Sequence, residues 1–103
     1  MLKVRLDDYE VEAAIKCFKR HFLEGDKLWL FGSRVDLKKR GGDIDFYIET
    51  QFKTYEQVYR ARVDFVFDLC EEIGHQRIDV VVKYTDFKLL IHDEARSTGV
   101  RLV

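Results

Sequence analysis

The sequence predicts an α/β (α+β) domain: a small mixed sheet with strand order 1-2-3, flanked by helices. Three observations lead there. Apolar residues recur at helical spacing in three separate segments, whereas the runs between them are too short for helices and suit strands. The connection between the first two strands is short and compatible with an antiparallel pair. The second and third strands are separated by a helix long enough for a right-handed parallel crossover.

The first helix is expected over Asp7 to about Leu23. Asp7 or Asp8 caps it, Glu10 can close a capping box, and Val11, Ala14, Ile15, Phe18 and Phe22 form its core stripe. Gly25 stops it, and Lys27 to Phe31 follows as a continuous apolar run, read as a buried strand ended by Gly32 and Ser33. The second strand runs from about Asp43 to Glu49. Thr54 and Gln57 form another capping box, opening a helix to about Ile73 with Val58, Ala61, Phe65, Leu69 and Ile73 on one stripe and Gly74 as its stop. Arg77 to Lys83 alternates as a third strand. Thr85 caps a last helix through about Ser97, Gly99 stops it, and Val100 to Val103 offers a short edge strand.

With 103 residues the chain is expected to be a single domain, residues 1–103. Hydrophobic residues at 47% and aromatics at 14% suit a packed globule and exclude a disordered chain. A formal net charge of -1 argues against attachment to nucleic acid or membrane through bulk charge. Neither a signal peptide nor an apolar run long enough to span a bilayer is evident, so a cytoplasmic protein is expected. Cys17 and Cys70 lack CxxC spacing and read as reduced, inert thiols.

The chemistry concentrates between Leu28 and Glu49. Successive strand side chains alternate faces, so Asp43 and Asp45 project to one side with Cα atoms about 7 Å apart, and Ile44, Phe46 and Ile48 project to the other. Like charges held this close repel, and a raised pKa or a bound cation answers the repulsion. An oxygen-only donor set favours magnesium or manganese over zinc. Gly32-Ser33 at a strand end exposes backbone N–H groups and a hydroxyl suited to phosphate oxygens. If the first strand runs antiparallel and the third parallel to the second, Gly32-Ser33, the Asp43/Asp45 pair and Asp79 share one rim of the sheet.

The segment Gly32-Ser33-Arg34, followed by Gly42-Asp43-Ile44-Asp45, resembles the minimal nucleotidyltransferases of the DNA polymerase beta superfamily, over about Leu28 to Val82. The resemblance implies the nucleotidyltransferase fold. It also implies that Gly32, Ser33 and Arg34 bind the nucleotide and that Asp43, Asp45 and Asp79 are catalytic residues and ligands of two magnesium ions. The chain departs from the family in its loop of Lys38, Lys39 and Arg40, and no substrate-binding domain is expected within these 103 residues. The implied reaction is attack of an acceptor hydroxyl on the α-phosphorus of ATP or another NTP, with pyrophosphate leaving.

The leading functional expectation is an adenylyltransferase acting on a hydroxyl of a helical HEPN-type partner, as in toxin-antitoxin pairs of this family. A non-catalytic antitoxin or binding module of the same fold is the alternative, as is the catalytic subunit of an antibiotic-type nucleotidyltransferase. The expectation leaves room for an oligomer. Phe67 is expected to be exposed and Tyr55 and Tyr59 half covered, forming a partner surface unless a terminal strand or the last helix covers them. His21, His75 and His92 are assigned surface or capping roles, Glu49 is expected to face solvent, and Tyr47 to pack across strands.

Overall fold

The computed structural model describes residues 6–32, 43–84 and 90–103. Helix α1 is Asp8–His21, strand β1 is Lys27–Phe31, strand β2 is Ile44–Glu49, helix α2 is Tyr55–Ile73, strand β3 is Ile78–Lys83, helix α3 is Leu90–Thr98 and strand β4 is Val100–Arg101. The helix starts follow their capping residues. The Asp7 N–H donates to Glu10 Oε1 at 3.0 Å, and the Gln57 N–H donates to Thr54 Oγ1 at 3.2 Å. Each cap satisfies donors that the first helical turn leaves without intrahelical partners. The expected Thr85 cap of the last helix lies outside the described residues.

The sheet has four strands in the order β3-β2-β1-β4, a correction to the expected three-strand order 1-2-3. The addition is the two-residue β4, which pairs antiparallel with β1 through Trp29↔Arg101 and Leu30↔Val100. It lies within the Val100 to Val103 segment expected as a short edge strand. β1 and β2 are antiparallel, whereas β2 and β3 are parallel, the directions with which their connections were compatible.

Ile44, Phe46 and Ile48 of β2 pack with Leu28 and Leu30 of β1 against Phe18 of α1, Phe22 just after it, and Phe65 and Leu69 of α2. Phe65 is at the centre of this layer, with its ring 5.5 Å from Phe46, 6.2 Å from Phe22 and 6.4 Å from Phe18. On the opposite face, Trp29 and Tyr47 pack under Ala95 of α3. β2 is therefore covered on both faces along Phe46, Tyr47 and Ile48, where a half-buried strand was expected. The chain returns α3 over the second face, and the two-residue alternation of β2 does not encode that.

Both cysteines are free, and burial pushes the Cys17 thiol up to about 11, so it stays protonated at neutral pH. Among the described residues, no helix is long and apolar enough to cross a membrane.

Candidate functional site

Three chain ends meet at one rim of the sheet: the end of β1, the start of β2 and the start of β3. The antiparallel register sets Phe31 opposite Asp45, which brings the following Gly32 against the Asp45 side chain. The parallel register sets Asp45 directly beside Asp79. Register neighbours in a parallel pair point to the same face of the sheet, so these two carboxylates are side by side. Asp43, two residues before Asp45, completes the set.

Gly32 has φ +75°, a conformation that L side chains rarely adopt, and a Cβ built there would collide with Asp45 Oδ2. The absence of a side chain at Gly32 is what lets the Asp45 carboxylate lie against the backbone at the end of β1. Burial raises the pKa of Asp45, and the neighbouring charges of Asp79 and Asp43 raise it further. The three carboxylates therefore form one electrostatic unit in which Asp45 carries the strain.

Asp43 Oδ2 accepts an ion pair from Arg77 Nε at 3.3 Å. Arg77, at the start of β3, thus serves Asp43, the residue just before the β2 strand that lies beside β3. Ser33 and Arg34, and the lysine-rich loop after them, lie outside the described residues. Of the nucleotide-binding trio, only Gly32 is placed.

The donor chemistry fits a hard cation. Asp45 and Asp79 are adjacent, oxygen-only ligands whose mutual repulsion a divalent ion would relieve. Among the described residues, no three His, Cys, Asp or Glu side chains converge on a single ion position as they stand. Asp45 and Asp79 are thus the residues that would hold a magnesium ion, and Asp43 would join them on release from Arg77.

Behind the rim, the same face carries a polar network that sequence reasoning missed. The Tyr47 hydroxyl donates to Glu49 Oε2 at 2.7 Å, and Arg96 of α3 stands 3.5 Å from the same oxygen while lying over the Trp29 ring. Glu49, expected to face solvent, is the acceptor that lets Tyr47 be buried. Tyr47 packs across the strands on Trp29 at 5.3 Å, as expected. His92, assigned a surface role, is buried and stacks on Tyr47 at 5.6 Å. The signal that could have located it is the i, i+3 spacing of His92 and Ala95, both of which are buried in α3.

On α2, Tyr55, Tyr59, Val63 and Phe67 stand at a strict four-residue interval, each between 44% and 68% exposed. They form one exposed apolar ridge. Phe67 is exposed as expected, and Tyr55 and Tyr59, expected to be half covered, are exposed as well.

No family model matches this chain, and no curated protein matches it either.

Proposed function

We propose that this chain is a minimal nucleotidyltransferase of the DNA polymerase beta superfamily. It would transfer AMP from ATP to a hydroxyl of a partner protein, in the manner of an antitoxin acting on a helical HEPN-type toxin. The observation that carries the reading is the in-register pair Asp45↔Asp79 at a rim that also holds Asp43 and the side-chain-free end of β1 at Gly32. Three carboxylates gathered beside a glycine backbone suit phosphoryl chemistry better than they suit stability, because each raises the electrostatic cost of the others.

In the reaction, the acceptor oxygen forms a bond to the α-phosphorus, the bond from that phosphorus to the bridging oxygen breaks, and pyrophosphate leaves. Two magnesium ions, when bound, would supply charge neutralisation for the triphosphate and for the attacking and leaving oxygens. Asp79 is exposed at the rim and accepts the proton of the acceptor hydroxyl. Asp45, half-buried and fixed between β1 and β3, is the positioning carboxylate of the set. The Gly32 turn would offer its backbone N–H to the phosphates beside the carboxylate set.

A second reading, a binding module of the same fold without catalysis, is favoured by the Asp43–Arg77 ion pair, which ties up one of the three carboxylates. One experiment separates the two. The chain is incubated with α-labelled nucleotides and magnesium, with and without its copurifying partner. Label on the partner protein, lost in Asp45→Asn and Asp79→Asn, supports transfer. Label on a small molecule supports the antibiotic-type alternative. Absence of label with every nucleotide, with the partner present and bound, overturns catalysis and leaves the binding module.

A further inference from the structure

Strand β3 is the outer strand of the sheet, and among the described residues no strand pairs with its open edge. Arg77 O accepts from the Ile44 N–H and Lys83 O from the Thr50 N–H, so the odd-numbered residues of β3 turn their backbone groups toward β2. By alternation, Ile78, Val80 and Val82 direct theirs to the open edge. The strand is six residues long, IDVVVK, rich in β-branched residues and without proline, all of which favour pairing with a further strand. Beside it, between β3 and α2, runs an open groove of about 690 Å³ lined by Val63, Val66, Phe67, Ile78 and Val80.

We infer that the occupant of this edge is a second copy of the same chain, joined β3 to β3 in an antiparallel pair about a two-fold axis through Val81. The charges of the strand select that register. Centred on Val81, it sets Asp79 opposite Lys83 of the partner subunit, and by symmetry Lys83 opposite the partner's Asp79. Centring on Val80 would oppose Arg77 to the partner's Lys83, centring on Asp79 would oppose two aspartates, and centring on Val82 would leave both charges facing uncharged residues. Opposite charges directly across an antiparallel pair stabilise it, and like charges destabilise it.

The neighbours on β2 add to the argument. Asp79 has Asp45 at its side within its own chain, and Lys83 has Glu49. The pairing gives Asp79 a cation on its open side, against the repulsion of Asp45, and sets Lys83 between two carboxylates. A two-fold perpendicular to the sheet also keeps both α2 helices on one face. The two apolar grooves then meet across the axis, which removes Ile78, Val80 and the flank of Phe67 from water. The result is a continuous eight-stranded sheet with two-fold symmetry.

This inference does not rest on the nucleotidyl-transfer reading, and its test is one of mass, not activity. Sedimentation equilibrium of the whole chain in EDTA should give twice the 12.3 kDa chain mass. Asp79→Lys and Lys83→Asp should each halve that mass. An equimolar mixture of the two variants should restore it, because a strand with cations at both positions then faces a strand with carboxylates at both. As a check that does not alter charge, Val81→Cys in a Cys70→Ser background should form a disulfide-linked dimer on oxidation, since residues opposed at a non-hydrogen-bonded position have Cα atoms about 4.5 Å apart. A monomeric wild type at the highest soluble concentration, a mixture that stays monomeric, or a Val81→Cys chain that does not crosslink would overturn it. A monomer that instead dimerises only with a different protein would assign the edge to that protein.

Discussion

Gly32 leaves the room that the Asp45 carboxylate fills. A Cβ on Gly32 would meet Asp45 Oδ2 head-on, with Asp45 Cγ at 3.1 Å and Asp45 Cβ at 3.3 Å. The backbone at Gly32 also sits at φ +75°. Gly32→Ala therefore combines a conformational cost of about 1–2 kcal/mol with a collision. Urea denaturation should show a loss of about 3 kcal/mol or more in the wild-type background and only the conformational part, about 1–2 kcal/mol, in an Asp45→Ala background. Equal losses in the two backgrounds would show that Asp45 does not depend on the glycine.

The raised pKa of Asp45 sets the sign of a second expectation. A carboxyl whose pKa is higher in the folded than in the unfolded chain binds its proton more tightly when folded. Its contribution to stability is then lost as pH rises from its ordinary value of 3.8 through the folded value. Asp45→Asn should raise the Tm at neutral pH, and this advantage should vanish as pH falls below 3.8. Magnesium or manganese should raise the Tm of the wild type, by about 2.7 kcal/mol of stability at a hundredfold excess over Kd, and raise that of the variant much less. Equal cation shifts in both proteins would place the ion elsewhere.

Phe65 and Phe67 are two residues apart on α2 and face opposite environments. Phe65 is fully buried among Phe18, Phe22 and Phe46, whereas Phe67 is 68% exposed. Phe65→Ala should cost about 3–5 kcal/mol through lost transfer energy and a cavity. Phe67→Ala should change chain stability by no more than about 0.5 kcal/mol at a concentration where the chain is monomeric. Similar losses for both, measured by urea denaturation, would contradict the placement of the helix.

His92 is buried against Tyr47, and burial lowers its pKa from the ordinary 6.5, with the charge of Lys83 acting in the same direction and those of Asp93 and Glu49 opposing it. The unfolded chain then takes up a proton before the folded one does. Stability should fall as pH drops below 6.5 and through the folded value. The Tm difference between wild type and His92→Gln should shift against the wild type over that window. A difference that is flat with pH would mean the ring is charged or solvated in the fold.

The local elements were legible because their signals are local. Capping residues at Asp7 and Thr54, the glycine after α2 and the apolar run Leu28 to Phe31 of β1 each act within a turn or two of chain, and the structure places those boundaries within two residues of the sequence reading. The rim was legible for a related reason. The lengths of two connections allowed the strand directions that the sheet adopts, and strand direction together with two-residue alternation brings Asp45 beside Asp79.

What the sequence by itself determined about this protein is therefore its elements, the direction of its first three strands and which carboxylates share a face. Tertiary structure alone decided how those elements close on one another. It set α3 over Tyr47 and buried His92, turned Glu49 from a solvated residue into the acceptor of a buried hydroxyl, and gave Arg77 to Asp43 and not to Asp79. It also made Asp26, silent in the sequence, a buried hub whose carboxylate accepts from the Leu23 and Gln51 N–H groups and from the Thr50 hydroxyl, tying the turn after α1 to the end of β2. The physical reason is range. Propensity, caps and alternation act between residues close in sequence. The pairing of a buried polar group depends on which distant segment arrives beside it, and Asp26 and Gln51 are 25 residues apart.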